Sequence, residues 1–265
     1  MSQLPLMTVW CSITTLELSR CDLRGKFALD GLTRVLAKCP ALTHLDLSGN
    51  PNFGPAGTEW LARVLAQCPV LTHLDLRSSR ILLEGAYELA GVLGQCSELT
   101  HVNLGGNWVG ELGTGRLAED LAKCSSLAHL DLSENCIGYA TLEVIGGVLA
   151  QCAELTHLNV SGNRISNRRT EGFALLGRCT RMAYLDLSHN RIGNVGAAGL
   201  LAKVLPQCSA LAHLDLCYNK IIGAEGARIL AGVLTQCPAL AYVDLSYNEI
   251  GADGARTLVG VLAQC

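Results

Sequence analysis

Leu42-Thr43-His44-Leu45-Asp46-Leu47-Ser48-Gly49-Asn50 decides the fold, because the chain repeats it. Close copies run from Leu127 to Asn135, from Leu211 to Asn219 and from Leu240 to Asn248. Self-similarity at a fixed period outranks every other sequence signal. The first apolar residue of each copy is Ile13, Leu42, Leu71, Leu99, Leu127, Leu155, Met182, Leu211 and Leu240, at steps of 29, 29, 28, 28, 28, 27, 29 and 29. Three residues before eight of them stands a cysteine: Cys39, Cys68, Cys96, Cys124, Cys152, Cys179, Cys208 and Cys237. About nine repeats therefore fill residues 13–265 and leave 1–12 as a short N-terminal cover.

Within a repeat, Leu45-Asp46-Leu47 alternates apolar and polar, so the leucines face inward and their neighbours outward, as on a strand. Asn50, Asn107, Asn135, Asn163, Asn190, Asn219 and Asn248 mark the turn, and Cys21 and Ser79 replace the amide in repeats one and three. The remainder is helical. Ala255, Leu258, Leu262 and Cys265 share one helical face. Pro40 and Ser209, each directly after a cysteine, stop the helix. Strands joined through helices pair in parallel.

This pattern resembles the leucine-rich repeat, and its 28–29-residue period resembles the ribonuclease-inhibitor subtype, found also in the repeat regions of NOD-like receptors. The resemblance implies that the turn asparagines satisfy backbone groups of adjoining coils, so the turns at Cys21 and Ser79 should be held less well. Strands sit about 4.8 Å apart but helices need about 8–10 Å. The expected fold is therefore an α/β horseshoe solenoid, with a parallel sheet on the concave face and helices on the convex face.

Composition narrows the function. A net charge of −3 offers no electrostatic footprint for nucleic acid. The apolar runs are too short to span a membrane, and no basic residue opens the first eleven as a leader peptide would. The cysteines that share one repeat position read as small hydrophobes on the core stripe. Free thiols in that number point to a reducing, cytoplasmic compartment. Four departures stand out: a longer turn at Pro51-Asn52-Phe53-Gly54, a shorter sixth repeat around Ser166-Asn167-Arg168-Arg169-Thr170, Arg77 with Ser79 in repeat three, and a last helix that reaches Cys265 with no polar closing repeat. From that uncapped end, self-association is expected.

Three outward ladders carry whatever chemistry there is. The first is Thr15, His44, His73, His101, His129, His157, Tyr184, His213 and Tyr242. The second is Glu17, Asp46, Asp75, Asn103, Asp131, Asn159, Asp186, Asp215 and Asp244. The third is Ser19, Ser48, Arg77, Gly105, Ser133, Ser161, Ser188, Cys217 and Ser246. His44, Asp46 and Ser48 are the residue types of a hydrolytic triad, but they recur as a lattice and lack a nucleophile elbow. No catalytic residue, metal site or cofactor is assigned, and the protein reads as a non-enzyme. Histidines of neighbouring strands with a carboxylate behind them could still hold an adventitious metal ion.

The reading preferred is a protein-interaction or ligand-sensing scaffold that binds a protein partner on its concave face, as in the repeat region of a NOD-like receptor. The partner-facing set is the His and Tyr of the first ladder, the Asp of the second, Arg77, and Tyr218 with Tyr247. Tyrosine clusters in repeats seven to nine, which makes that end the expected hot spot. Trp60 and Trp108 are expected to pack. The alternative is regulation of a small GTPase, since the GTPase-activating protein for Ran is similar in repeat design. Arg80, Arg164 and Arg191 would be the cations available. On the His ladder, neighbouring charges should lower the pKa values and Asp46, Asp75 and Asp131 should raise them. His101 and His157, beside Asn, should titrate below His44 and His129.

Overall fold

The computed structural model describes residues 12–166, 175–234 and 237–262. Nearly all of the N-terminal cover, the sixth-repeat turn from Asn167 onward, and Cys265 lie outside that range. The chain divides into two compact halves, residues 1–131 and 132–265.

The first half alternates β1 (Thr15–Glu17), α1 (Gly25–Leu36), β2 (His44–Asp46), α2 (Gly54–Leu65), β3 (His73–Asp75), α3 (Leu82–Leu89), β4 (His101–Asn103), α4 (Gly110–Leu121) and β5 (His129–Asp131). Its strands pair in parallel and in chain order, with Thr15, His44, His73, His101 and His129 in register. The second half holds α5 (Tyr139–Leu149), β6 (His157–Asn159), β7 (Tyr184–Asp186), α6 (Asn194–Lys203), β8 (His213–Asp215), α7 (Gly223–Leu234), β9 (Tyr242–Asp244) and α8 (Gly251–Leu262). There His157, Tyr184, His213 and Tyr242 are in register. This is the α/β repeat solenoid that the sequence predicts.

The inward leucines make the core: Leu45, Leu47, Leu74, Leu76, Leu185, Leu187, Leu214 and Leu216 are all buried. The helical face is buried in α7 at Ala227 and Leu230, whereas in α8 Ala255 is exposed and Leu258 half-buried. The sequence reading places the cysteine at the helix end with Pro or Ser as the stop. Instead α1, α2, α4, α5 and α7 end three residues earlier, at Leu36, Leu65, Leu121, Leu149 and Leu234. A tight turn, with the Cys39 N–H on the Leu36 carbonyl at 2.9 Å and the Cys68 N–H on that of Leu65 at 2.9 Å, swings the thiol back into the core. The eight ladder cysteines are buried and unoxidised. Burial pushes the thiols of Cys96, Cys152 and Cys208 up to about 11, and that of Cys179 to about 12.

The turn is a hydrogen-bond junction. Asn107, fully buried, donates to the carbonyls of Leu76 (2.8 Å) and Leu104 (2.9 Å), and its oxygen accepts the N–H of Ser79 (2.9 Å) and Ile81 (3.3 Å). Asn50, Asn163, Asn190 and Asn219 donate in the same way to their own and the preceding repeat. Ser79 covers part of this duty. Its hydroxyl lies 3.1 Å from the Leu47 carbonyl and 3.3 Å from that of Arg77. One hydroxyl has one proton, so it cannot serve both fully. Cys21 is exposed, and its thiol donates to the nearby Ser19 carbonyl at 3.5 Å.

A second buried junction lies between the helices. Asp120 accepts the N–H of Gly91 (2.7 Å) and Gly94 (2.9 Å) where α3 stops short, and pairs with Lys123. Burial alone would raise its pKa. Lys123 and the two glycine N–H groups outweigh that and hold the carboxyl below its usual value.

Candidate functional site

The outward ladders form the strand face. In the first half the rings of His44, His73, His101 and His129 stack with centroids 4.0 Å apart at each step. The residue before each ring sets its orientation. The Thr43 hydroxyl donates to the Thr14 carbonyl (3.0 Å), Thr72 to Thr43 (3.0 Å) and Thr100 to Thr72 (3.1 Å). Each hydroxyl oxygen also lies 2.8 Å from the Nδ1 of the following histidine. With its proton spent, the threonine must accept there, so Nδ1 carries hydrogen on His44, His73 and His101. The neutral rings therefore turn an accepting Nε2 outward.

Burial, then the charge of His44, lowers the pKa of His73; burial lowers that of His157. At His157 the cause is burial, not the missing carboxylate charge on which the sequence reading relied. At His73 the neighbouring histidine lowers the value as expected, but burial, which the sequence reading left out, is the larger cause. Asp75 is itself half-buried, and burial first, with the charge of Asp46, raises its own pKa.

The second ladder has a structural duty that the sequence reading missed. Asp46, Asp75, Asp186, Asp215 and Asp244 each use Oδ1 to accept the N–H two residues on, at 2.8–2.9 Å. This Asx turn ends each of those strands after three residues. Asn103 and Asn159 make the same bond, at 3.0 and 2.9 Å. The bond also separates the triad-like residues. Asp46 holds the Ser48 N–H, and His44 Nδ1 faces Thr43, so no carboxylate orients that imidazole as a triad requires.

Strands β6–β9 carry an aromatic row. His157, Tyr184, His213 and Tyr242 stack at 5.6, 4.4 and 4.3 Å. Tyr218 and Tyr247 leave the strand and occupy the left-handed turn position before the asparagine, with φ of 50° and 53°. His189, unassigned by the sequence reading, takes the same position at φ 51°. It stacks on Tyr218 at 4.2 Å, and Tyr218 on Tyr247 at 3.9 Å. The signal was there in Ser188-His189-Asn190, Cys217-Tyr218-Asn219 and Ser246-Tyr247-Asn248. In the first half that turn position holds Arg20, Gly49, Ser78 and Gly106, so the second aromatic row belongs to repeats seven to nine.

Between the two rows lie Asp186, Asp215 and Asp244, then Ser188, Cys217 and Ser246. Asp215, Cys217 and Asp244 bring their ligand-type atoms within 4.8 Å of one another, the one such group among the described residues. Burial, then a hydrogen bond to Asp215, raises the Cys217 thiol to about 11. The protonated donor is the opposite of what a metal needs from a thiol.

Arg77 is exposed on the strand face, as expected. The two tryptophans part company. Trp60 is buried, edge-on to Phe53 at 6.1 Å, and donates to the Thr33 hydroxyl. Trp108 is 56% exposed at a left-handed turn position, which corrects the packing expectation. The Arg80 guanidinium lies over it at 5.8 Å.

Comparison with known proteins agrees with this geometry. A family model described as "Leucine Rich repeat" matches residues 38–62, 67–90, 123–146, 151–168, 179–201 and 236–259, just over half of the chain. No curated protein matches. Among solved structures, internalin C2 from Listeria monocytogenes is similar at 21% identity, over 77% of this chain and 80% of that one, with a TM-score of 0.51. A second internalin of that organism, inlF, is 16% identical over 95% of this chain and 86% of that one, with a TM-score of 0.46. At 21% identity the likeness to internalin C2 speaks to the fold alone.

Proposed function

Because the chain belongs to the leucine-rich repeat family, we propose that it is a non-enzymatic scaffold that binds a protein partner on its strand face. One observation carries this reading. The face presents aligned, partly exposed rings, oriented in the first half by threonine hydroxyls on their Nδ1 atoms, and carboxylates fixed by Asx turns, so little ordering entropy remains to be lost on binding. The proposed contact residues are those of the sequence reading, with His189 added. The subtype proposed is that of ribonuclease inhibitor, supported by repeats of 27–29 residues with a helix in most. A sensing role inside a larger NOD-like receptor is the form that resemblance implies. A reducing, cytoplasmic setting is supported by the eight buried free thiols.

Photo-cross-linking tests the face. A benzoylphenylalanine at Tyr242, on the strand side, is compared with one at Val144, exposed on α5. In extract of the source cells, specific protein adducts should form from position 242 and not from 144. Adducts from 144 alone would move recognition to the helices.

A further inference from the structure

Repeats seven to nine build a trough that no other described part of the chain repeats. One wall is Tyr184, His213 and Tyr242; the other is His189, Tyr218 and Tyr247, both stacked at 3.9–4.4 Å. The floor between them is a row of three carboxylates, Asp186, Asp215 and Asp244, in register on adjacent strands. No Lys or Arg lies in residues 184–189, 213–218 or 242–247. The nearest in sequence, Arg191 and Lys220, follow the turn asparagines, beyond the second wall. In the first half, by contrast, Arg20 and Arg77 stand in the equivalent columns and the second wall is missing.

The geometry points to an arginine- or lysine-bearing extended segment of a protein as the occupant of this trough. The inference rests on the binding-face reading and specifies the partner's chemistry. Three like charges about 4.8 Å apart repel one another, and an added cation relieves that repulsion. Guanidinium groups bridge carboxylates with paired hydrogen bonds. The aliphatic stems of Arg and Lys need an apolar wall beside that charge, and the ring edges supply it. Tyr218 and Tyr247 are 42% and 70% exposed, and the stack holds them in place before any partner arrives. Cys217, as a neutral thiol given to Asp215, fills the floor without adding positive charge.

The test uses the full chain and fluorescein-labelled (Arg-Ala)6 and (Glu-Ala)6 peptides, read by anisotropy at low and high salt. The trough should bind the basic peptide, not the acidic one, and lose affinity as salt rises. Asp215→Asn with Asp244→Asn should weaken binding at least about tenfold. These variants keep the fold, because Asn103 and Asn159 already make the same Asx turn. Tyr218→Ser with Tyr247→Ser should weaken it several-fold. Glu59→Gln with Glu119→Gln, on the helix side, should leave it unchanged. Equal binding of both peptides, or equal loss from the helix-side pair, overturns the inference. If the basic peptide fails to bind while position 242 still cross-links a protein, the basic-segment inference falls and the binding face stands. If neither occurs, both fall.

Discussion

Replacing Asn107 by Ala should be among the most damaging single changes in the chain. Its amide makes four well-formed bonds, to Leu76, Leu104, Ser79 and Ile81, at 2.8, 2.9, 2.9 and 3.3 Å, in a site with no solvent exposure. Alanine leaves two N–H groups and two carbonyls without that partner. At about 1 kcal/mol per bond the cost is about 4 kcal/mol, and more where water cannot enter. Ser79→Ala removes one shared proton and should cost about 1 kcal/mol. Asn248→Ala, where the same amide is only part-buried, should cost about 1–2 kcal/mol because water replaces it. Solenoids need not unfold in one step. The assay is therefore urea unfolding by circular dichroism together with hydrogen exchange at the Ser79 and Ile81 amides. The predicted order of damage is Asn107, then Asn248, then Ser79. An Asn107→Ala variant no less stable than Ser79→Ala would refute the junction argument.

Other outcomes follow from the same geometry. Thiol labelling of the native protein, read by peptide mass spectrometry, should modify exposed Cys21 first and spare the ladder from Cys39 to Cys237 until unfolding. Cys124→Ser should cost about 1–3 kcal/mol, since the shorter hydroxyl reaches the Leu93 carbonyl less well than the thiol does at 3.4 Å. His73 and His157 should titrate below the ordinary imidazole value by NMR. A lowered folded pKa means that the unfolded chain binds the proton more readily. Their contribution is thus present above about pH 6.5 and is lost as pH falls through the folded value. Asp120 behaves likewise in a more acidic window. Its contribution is present above the ordinary Asp value, about 3.9, and is lost as pH falls through the lower folded one. Asp120→Ala should cost about 2–4 kcal/mol by leaving the Gly91 and Gly94 N–H groups unpaired.

The fold was legible because one signal was written nine times. Strand alternation, turn asparagine and core cysteine recur at one period, and the register of Thr15 through His129 follows from it. Helix ends were less legible. The leucine that closes α1 and the cysteine three residues on are both apolar and both buried, so hydropathy cannot tell helix from the turn after it. The Asx turns were missed because an outward Asp reads as surface until its oxygen is seen on the Ser48 amide. Trp108 was misassigned because a turn tryptophan looks like packing unless its left-handed backbone is known. The two aromatic walls were half visible. Tyr184 and Tyr242 stood in the ladder, but His189 had to be aligned with Tyr218 and Tyr247 at the turn.

The most direct test of the strand face as the binding surface is carbodiimide footprinting of carboxylates, with and without the protein captured at position 242. The account predicts that modification of Asp215 and Asp244 falls several-fold in the complex, while exposed Glu59 and Glu119 on α2 and α4 react as before. Protection of Glu59 and Glu119 with Asp215 and Asp244 unchanged would contradict it.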